Sequence, residues 1–315
     1  MVVTVCMNPA IDKTVEISEL IKGGLNRISK VTYDAGGKGI NVSKTICALG
    51  GRSIATGFLG GTAGKTIENV LKAQGISCDF VYVEGETRTN TKVFEASGTV
   101  TELNEPGPEI GEKSLDALMK KLEVYASKDV LFVLSGSVPK GVPANIYAKI
   151  IEKVHKQGAK VLLDADGELF EKAILAKPDM IKPNKEELQE FAGLMHPMSK
   201  EELKEAAQSF LNKGIHTVAV SMGSEGAAFF EEGFSAHCPA LSVKAHSTVG
   251  AGDAMVAAMA HGWETQLSVK ETIRLCMAAS AGAVTTVGTK PPKQEIVEEL
   301  KTKVKIHEYS IVGSF

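Results

Sequence analysis

The chain has 315 residues, room for one large domain or two ordinary ones. Its 43% hydrophobic and 23% charged residues exclude disordered, collagen-like and coiled-coil classes. Its 35 Lys and Arg against 38 Asp and Glu leave a net charge of −3, so no overall basic field favours nucleic acid and any anionic ligand must be held locally.

The amino end, Val2 to Met7, reads as a strand without a basic leader. From about Thr14 to Tyr33 the pattern alternates in strand fashion with no crossover helix. A glycine-rich turn at Asp34 to Gly39 then feeds a helix from Ile40 to Leu49, stopped by Gly50-Gly51. Thr56 to Leu59 is a further strand. Val81 to Leu103 again alternates, with a hairpin turn at Ser97-Gly98, so it joins 14–33 as a small antiparallel lid inserted within one domain.

Beyond the lid, Val130 to Leu134 is a buried strand, and Pro143 opens a helix whose Ile146, Ile150, Ile151 and Val154 share a face. Lys160 to Leu163 and Asp179 to Lys182 are strands, followed by a helix after Pro183, a helix at Lys200 to Asn212, the strand Thr217 to Ser221 and a long helix from Asp253. This alternation predicts an α/β fold with a mostly parallel sheet covered by helices on both faces. No Pro/Gly/Ser-rich linker divides residues 1–315, so a single domain is expected. Glycine is in excess, 31 residues against a typical share of about 7%. The excess points to tight turns or to backbone approaching a ligand. The five cysteines form no CxxC pair, which fits a reducing cytoplasm, and the longest apolar run is far too short to span a bilayer.

Two glycine turns carry the chemistry. In Thr248-Val249-Gly250-Ala251-Gly252-Asp253, paired glycines let successive amides converge at a helix start, where the macrodipole favours an anion. Asp253 could there accept a proton from a hydroxyl attacking a phosphate, or could simply cap the helix. In Gly36-Gly37-Lys38-Gly39-Ile40-Asn41 the glycines, lysine and asparagine suit sugar hydroxyls or a phosphate, or form a tight turn with a solvated lysine. Gly60 to Thr66 ends in Gly-Lys-Thr but is one residue short of a phosphate-binding P-loop. Lys182-Pro183-Asn184 with Glu187 fits a capping box, and Ser221 to Gly226 fits either a nucleotide cradle or a hairpin turn. The first strand is followed by Asn8-Pro9-Ala10 in place of GxGxxG, which disfavours a dinucleotide oxidoreductase.

Asn8-Pro9-Ala10-Ile11-Asp12, the Gly36–Asn41 turn, Lys182-Pro183-Asn184 and Thr248–Asp253 together resemble, over essentially the whole chain, the ribokinase-like sugar kinases of the phosphofructokinase-B type. The resemblance implies a three-layer ribokinase-like sandwich and an ATP-dependent kinase using Mg²⁺. The lid, a small sheet with exposed edges and an apolar face, predicts a homodimer through it. Gly85 to Lys92 and Thr101 to Pro108 look most like the members that act on fructose 1-phosphate. Those that act on tagatose 6-phosphate come next, then 6-phosphofructokinases or a non-catalytic sugar-phosphate sensor. It further implies that Asp12, Gly36, Gly37, Lys38 and Asn41 hold the sugar, Arg27 and Arg88 its phosphate, and Ser135 and Ser137 the edge of the site. The nucleotide would lie along Lys182, Asn184, Ser221, Gly223, Gly226, Thr248 and Gly252, with Glu187 placing Mg²⁺ through water. Gly250, Ala251, Gly252 and Asp253 would carry the chemistry. Ala254 departs from the pattern, since serine usually follows that aspartate.

Overall fold

The computed structural model describes residues 1–309. From the amino end it runs β1 (Val2–Cys6), β2 (Ala10–Ile17), β3 (Lys30–Gly36), α1 (Lys38–Ala48), β4 (Ser53–Gly60) and α2 (Gly61–Ala73). Next come β5 (Ser77–Cys78), β6 (Val81–Val83), β7 (Arg88–Glu95), β8 (Val100–Asn104), α3 (Glu112–Tyr125), β9 (Leu131–Ser135), α4 (Ile146–His155) and β10 (Lys160–Asp164). The remainder is α5 (Gly167–Ile174), β11 (Met180–Ile181), α6 (Lys185–Phe191), α7 (Lys200–Asn212), β12 (Thr217–Ser221), β13 (Ala227–Glu231) and β14 (Phe234–Cys238). After these follow α8 (Ala251–Glu264), α9 (Val269–Ala283), α10 (Gln294–Lys301) and β15 (His307–Glu308).

The main sheet has the order β15-β14-β13-β12-β11-β10-β9-β1-β4-β5, with β6 added on β4. It is parallel from β5 to β12 and antiparallel from β12 to β15. Alternate residues of one strand serve opposite cores. Phe132 and Leu134 of β9 pack with α3 to α7, whereas Leu131 and Val133 pack with α1, α8, α9 and α10. Because both faces are covered, the strands read as continuous apolar runs, as expected for a buried parallel sheet. The architecture is thus the expected α/β three-layer sandwich.

The small sheet has the order β3-β2-β7-β8. Its outer pairings, β2–β3 and β7–β8, are antiparallel, while the central β2–β7 pairing is parallel. Its strands also start elsewhere than the 14–33 and 81–103 expected. The first segment reaches from Ala10 to Gly36, and Val81–Val83 leaves the lid altogether to pair with β4, where Val81 lies buried. Cross-strand register puts Asp12, Asn90, Lys92, Glu102 and Asn104 on one face of the lid. Val15, Val31, Tyr33, Val93 and Leu103 lie on the other. This period-two segregation gives the lid one polar side and one mainly apolar side, which also carries Lys13, Thr91 and Thr101.

The shortened Gly-Lys-Thr turn binds no phosphate by this geometry, because the chain fills it from within. The Glu86 carboxylate accepts the Thr62 and Ala63 amides at 2.9 and 3.1 Å, occupying the amino end of α2. Those two amides hold the Glu86 pKa below its ordinary value.

Candidate active site

A cavity of about 1080 Å³ lies at the carboxyl ends of β1, β9, β10, β11 and β12, with the polar face of the lid above it. This is where open parallel sheets place their ligands, since loops leaving adjacent strand ends diverge there. Asp12, Gly37, Lys38, Asn41, Arg88, Ser135, Ser137, Lys182, Asn184, Glu187, Ser221, Gly223, Gly226, Thr248 and Gly250 to Asp253 all line it. Two glycine turns separated by some two hundred residues therefore face one space.

The late turn ends in a helix start. Gly250 has φ +86°, a left-handed conformation suited to glycine, and no side chain caps the helix it opens. The first intrahelical bond of α8 runs from the Ala254 amide to the Gly250 carbonyl, so the amides of Ala251, Gly252 and Asp253 lack helical acceptors. Asp253 sits in the first turn of α8, inside the helix, and its carboxylate accepts a bond from Asn41 Nδ2 at 2.8 Å. It is therefore not the helix cap, and the capping reading falls. Burial pushes its pKa up to about 6, helped by the negative charge of Asp164. The Asn41 hydrogen bond and the Lys38 and Lys182 ammoniums pull the other way.

The early turn is fixed by close approach. Gly37 has φ +106°, and a Cβ there would stand 2.8 Å from Cys6 Sγ and 3.0 Å from Pro9 Cα, so only glycine fits. Gly36 does not line the cavity; a Cβ on it would stand 2.6 Å from Asp12 Cγ, so its role is to let Asp12 pass. Asp12 is buried and accepts 3.4 Å bonds from Asn90 Nδ2 and Thr289 Oγ1. Burial raises its pKa against the pull of Lys92.

The buried amide oxygens of Asn8, Asn41 and Asn90 have no hydrogen-bond partner among the described residues, and all three residues line this cavity. Buried acceptors are rarely left unpaired, and these three are disposed to take hydrogen bonds from hydroxyl groups of a ligand.

Sequence reasoning missed Asp164. At the end of β10 it is 2% exposed, lies 3.1 Å from Lys182 Nζ and 3.7 Å from Lys38 Nζ, and accepts from Ser135 Oγ at 3.1 Å. Burial alone would raise its pKa, but Lys182 and Lys38 bring it below the ordinary value. Lys182 also reaches the late turn, since a Cβ on Gly252 would stand 3.5 Å from its ammonium. Asp164 thus holds two cations between the glycine turns. Asn90 and Lys92 in the lid were missed as well, although Arg88, Asn90 and Lys92 recur with the period-two spacing of one strand face.

Asn184 and Glu187 form the expected capping box, with reciprocal bonds of 2.7 and 2.8 Å. Glu187 nevertheless faces the cavity, and burial raises its pKa. Ser221 to Gly226 form the turn between antiparallel β12 and β13, and Ser221, Gly223, Ser224 and Gly226 also line the cavity, so the two readings of that segment are compatible.

Arg27, like Gly36, is an expected site residue that does not line the cavity. It lies exposed in the twelve-residue loop 18–29 between β2 and β3. Arg88 does line it, with its guanidinium donating to the Asn8 carbonyl at 2.9 and 3.3 Å and to the Glu105 carbonyl at 3.4 Å.

Comparison with known proteins agrees with this geometry. The pfkB carbohydrate kinase family matches residues 1–296. The 1-phosphofructokinase of Bacillus subtilis is 36% identical over 308 residues, covering 97% of this chain and 99% of its own. The D-tagatose-1-phosphate kinase of Bacillus licheniformis is 34% identical, covering 90% and 92%. The crystal structure of phosphofructokinase-2 from Escherichia coli in complex with substrates and products superposes with a TM-score of 0.91 at 28% identity, covering 96% and 98%. A family match across nearly the whole chain, on a fold that assembles both glycine turns around one cavity, places this chain in the pfkB family of carbohydrate kinases.

Proposed function

We propose that the protein transfers the γ-phosphoryl group of ATP to the C6 hydroxyl of fructose 1-phosphate, giving fructose 1,6-bisphosphate and ADP. The observation that carries this reading is Asp253 itself: a carboxylate buried beside open helix amides, in a cavity shared with unpaired acceptors suited to sugar hydroxyls, where burial pushes its pKa up to about 6. In the proposed step the carboxylate takes the C6 hydroxyl proton as the oxygen bonds to the γ-phosphorus and the bond to the bridging oxygen of ADP breaks. The amides of Ala251, Gly252 and Asp253 stabilise the charge spreading over the transferred group.

Asp12, Asn41 and Asn90 would orient the sugar, with Gly37 and Lys38 beneath it and Ser135 and Ser137 at its edge. The nucleotide would lie along Lys182, Asn184, Ser221, Gly223, Gly226, Thr248 and Gly252. No group of three or more metal-binding side chains occurs among the described residues. Mg²⁺ would arrive on the ATP phosphates, where Glu187 in the cavity wall would hold it through water, and would neutralise phosphate charge. Closure of the lid's polar face would exclude water, a competing acceptor.

The assignment to a sugar 1-phosphate draws on the names of the Bacillus relatives, both of which act at a ketose carrying phosphate on C1. Tagatose 1-phosphate is the second reading, favoured by the second of these relatives. A coupled ADP-release assay on fructose 1-phosphate, tagatose 1-phosphate, tagatose 6-phosphate and fructose 6-phosphate at equal concentration decides among them. Fructose 1-phosphate is expected to turn over fastest, and no ADP release with any of the four would overturn the proposal.

Arg88, with the buried Lys92 two residues on, would hold the existing phosphate. Arg88→Ala is expected to raise KM for the sugar phosphate at least about tenfold, while any slow reaction with the unphosphorylated sugar changes little. Equal losses on both sugars would remove Arg88 from that role.

The apolar side of the lid supports a homodimer. Val31, Tyr33 and Leu103 are 40%, 61% and 59% exposed, on a small sheet with open edges. Sedimentation showing only monomer at assay concentration would contradict this. The five cysteines are free, which supports a reducing cytoplasm. Among the described residues no helix is long and apolar enough to cross a membrane.

A further inference from the structure

A second cavity, of about 570 Å³, opens at the opposite end of the main sheet, within the size range of small-molecule sites. It lies where β11 and β12 begin and β13 ends, against the last turn of α8 and the first turns of α9. Its walls are mostly apolar, built by Met180, Phe229, Met259, Trp263, Ile273 and Cys276. Polar residues line it as well, Glu231 at the end of β13 among them. Glu231 is half-buried, pairs across the strands with Thr217, and accepts that residue's hydroxyl at 3.0 Å.

No cation balances Glu231 among the described residues. The other charged groups around the cavity are the Met1 ammonium, Lys128, Asp129 and Glu264. The Met1 ammonium is engaged by the Asp129 carbonyl at 2.9 Å and by Glu264 at 3.6 Å, and Lys128 forms no ion pair among the described residues. Three carboxylates thus face two cations, and Glu231 is a half-buried one that no cation pairs with among the described residues. Burial accordingly raises its pKa, which only the Thr217 hydrogen bond offsets. A partly desolvated carboxylate without a partner is costly, and a ligand that supplied a cation would recover that cost while its body covered the apolar walls.

We propose that this cavity is a binding site for a small organic cation, a primary amine carried on an aromatic or branched aliphatic body, with its ammonium on Glu231. The site is separate from the kinase cleft: α8 carries Asp253 in its first turn and Met259 and Trp263, which line this cavity, towards its other end.

Trp263 is the only tryptophan of the chain and part of the cavity wall, so its fluorescence reports occupancy directly. The test titrates the protein with 2-phenylethylamine and, separately, with 2-phenylethanol, which has the same body and no charge. The amine is expected to shift Trp263 emission saturably, and the alcohol to bind at least about tenfold more weakly. Glu231→Gln keeps the side-chain shape and the acceptor for Thr217, and is expected to weaken the amine by a similar factor while leaving the alcohol unchanged. The amine–alcohol comparison needs only the unaltered protein, so it stands even if the variant folds poorly. No saturable shift, equal binding of amine and alcohol, or undiminished amine binding by a folded Glu231→Gln protein would each overturn the proposal. None of these readouts depends on kinase activity.

Discussion

Asp253→Asn is expected to lower kcat at least about a hundredfold, a loss of roughly 3 kcal/mol of transition-state stabilisation, with a modest change in nucleotide binding. The substitution keeps shape and the approach of Asn41, but an amide oxygen cannot take up the hydroxyl proton. The open amides of α8 remain, so the variant should retain a residual rate. The same group dictates a pH profile. Asp253 works as the carboxylate, and burial with the neighbouring Asp164 charge raises its pKa to about 6. Activity should therefore be full well above pH 6 and fall as the pH drops through about 6, where the carboxylate gains a proton. In Asp253→Asn that acid limb should vanish from the residual rate. Unchanged turnover in the variant, or the same acid limb in both proteins, would move the base elsewhere.

Gly57→Ala is expected to destabilise the protein by at least about 3 kcal/mol in a urea melt, or to prevent folding outright. Gly57 lies in β4, opposite Cys6 of β1 in the parallel register, with φ +136°. A Cβ there would overlap the Cys6 carbonyl oxygen and stand 2.6 Å from its carbon. Neither strand can give way, because β1 is paired on both sides, to β4 and β9, and its side chains fill cores on both faces. The damage would also reach function, since Cys6 abuts Gly37 and Gly39 at the start of α1 and leads directly to Asn8 and Asp12. A Gly57→Ala protein within about 0.5 kcal/mol of the parent would show that the strand pair is more compliant than its geometry implies.

Much of this architecture is legible in the residues. The apolar runs and their turns place α7 at Lys200–Asn212 and β12 at Thr217–Ser221 without reference to tertiary structure, because each is bounded by strong local signals. Both glycine turns are legible for the same reason. What local signals cannot carry is pairing between distant segments. Val81–Val83 alternates like a lid strand, yet buries Val81 by joining β4, and the parallel β2–β7 contact depends on two segments seventy residues apart. Asp164 hid at the end of an apolar strand, although a carboxylate closing such a run must be buried and so needs cations; Lys38 and Lys182 were already in view. Arg27 shows the reverse failure. The resemblance placed it on the substrate phosphate, but a long exposed loop carries it clear of the cavity of this chain.

The most direct test of this account is a crystal structure with fructose 1-phosphate and a non-hydrolysable ATP analogue. The account expects the C6 hydroxyl within about 3 Å of an Asp253 carboxylate oxygen, the γ-phosphate over the amides of Ala251 to Asp253, and ring hydroxyls on Asn41 and Asn90. A sugar seated with C6 facing some other residue, or a γ-phosphate remote from the start of α8, would contradict it.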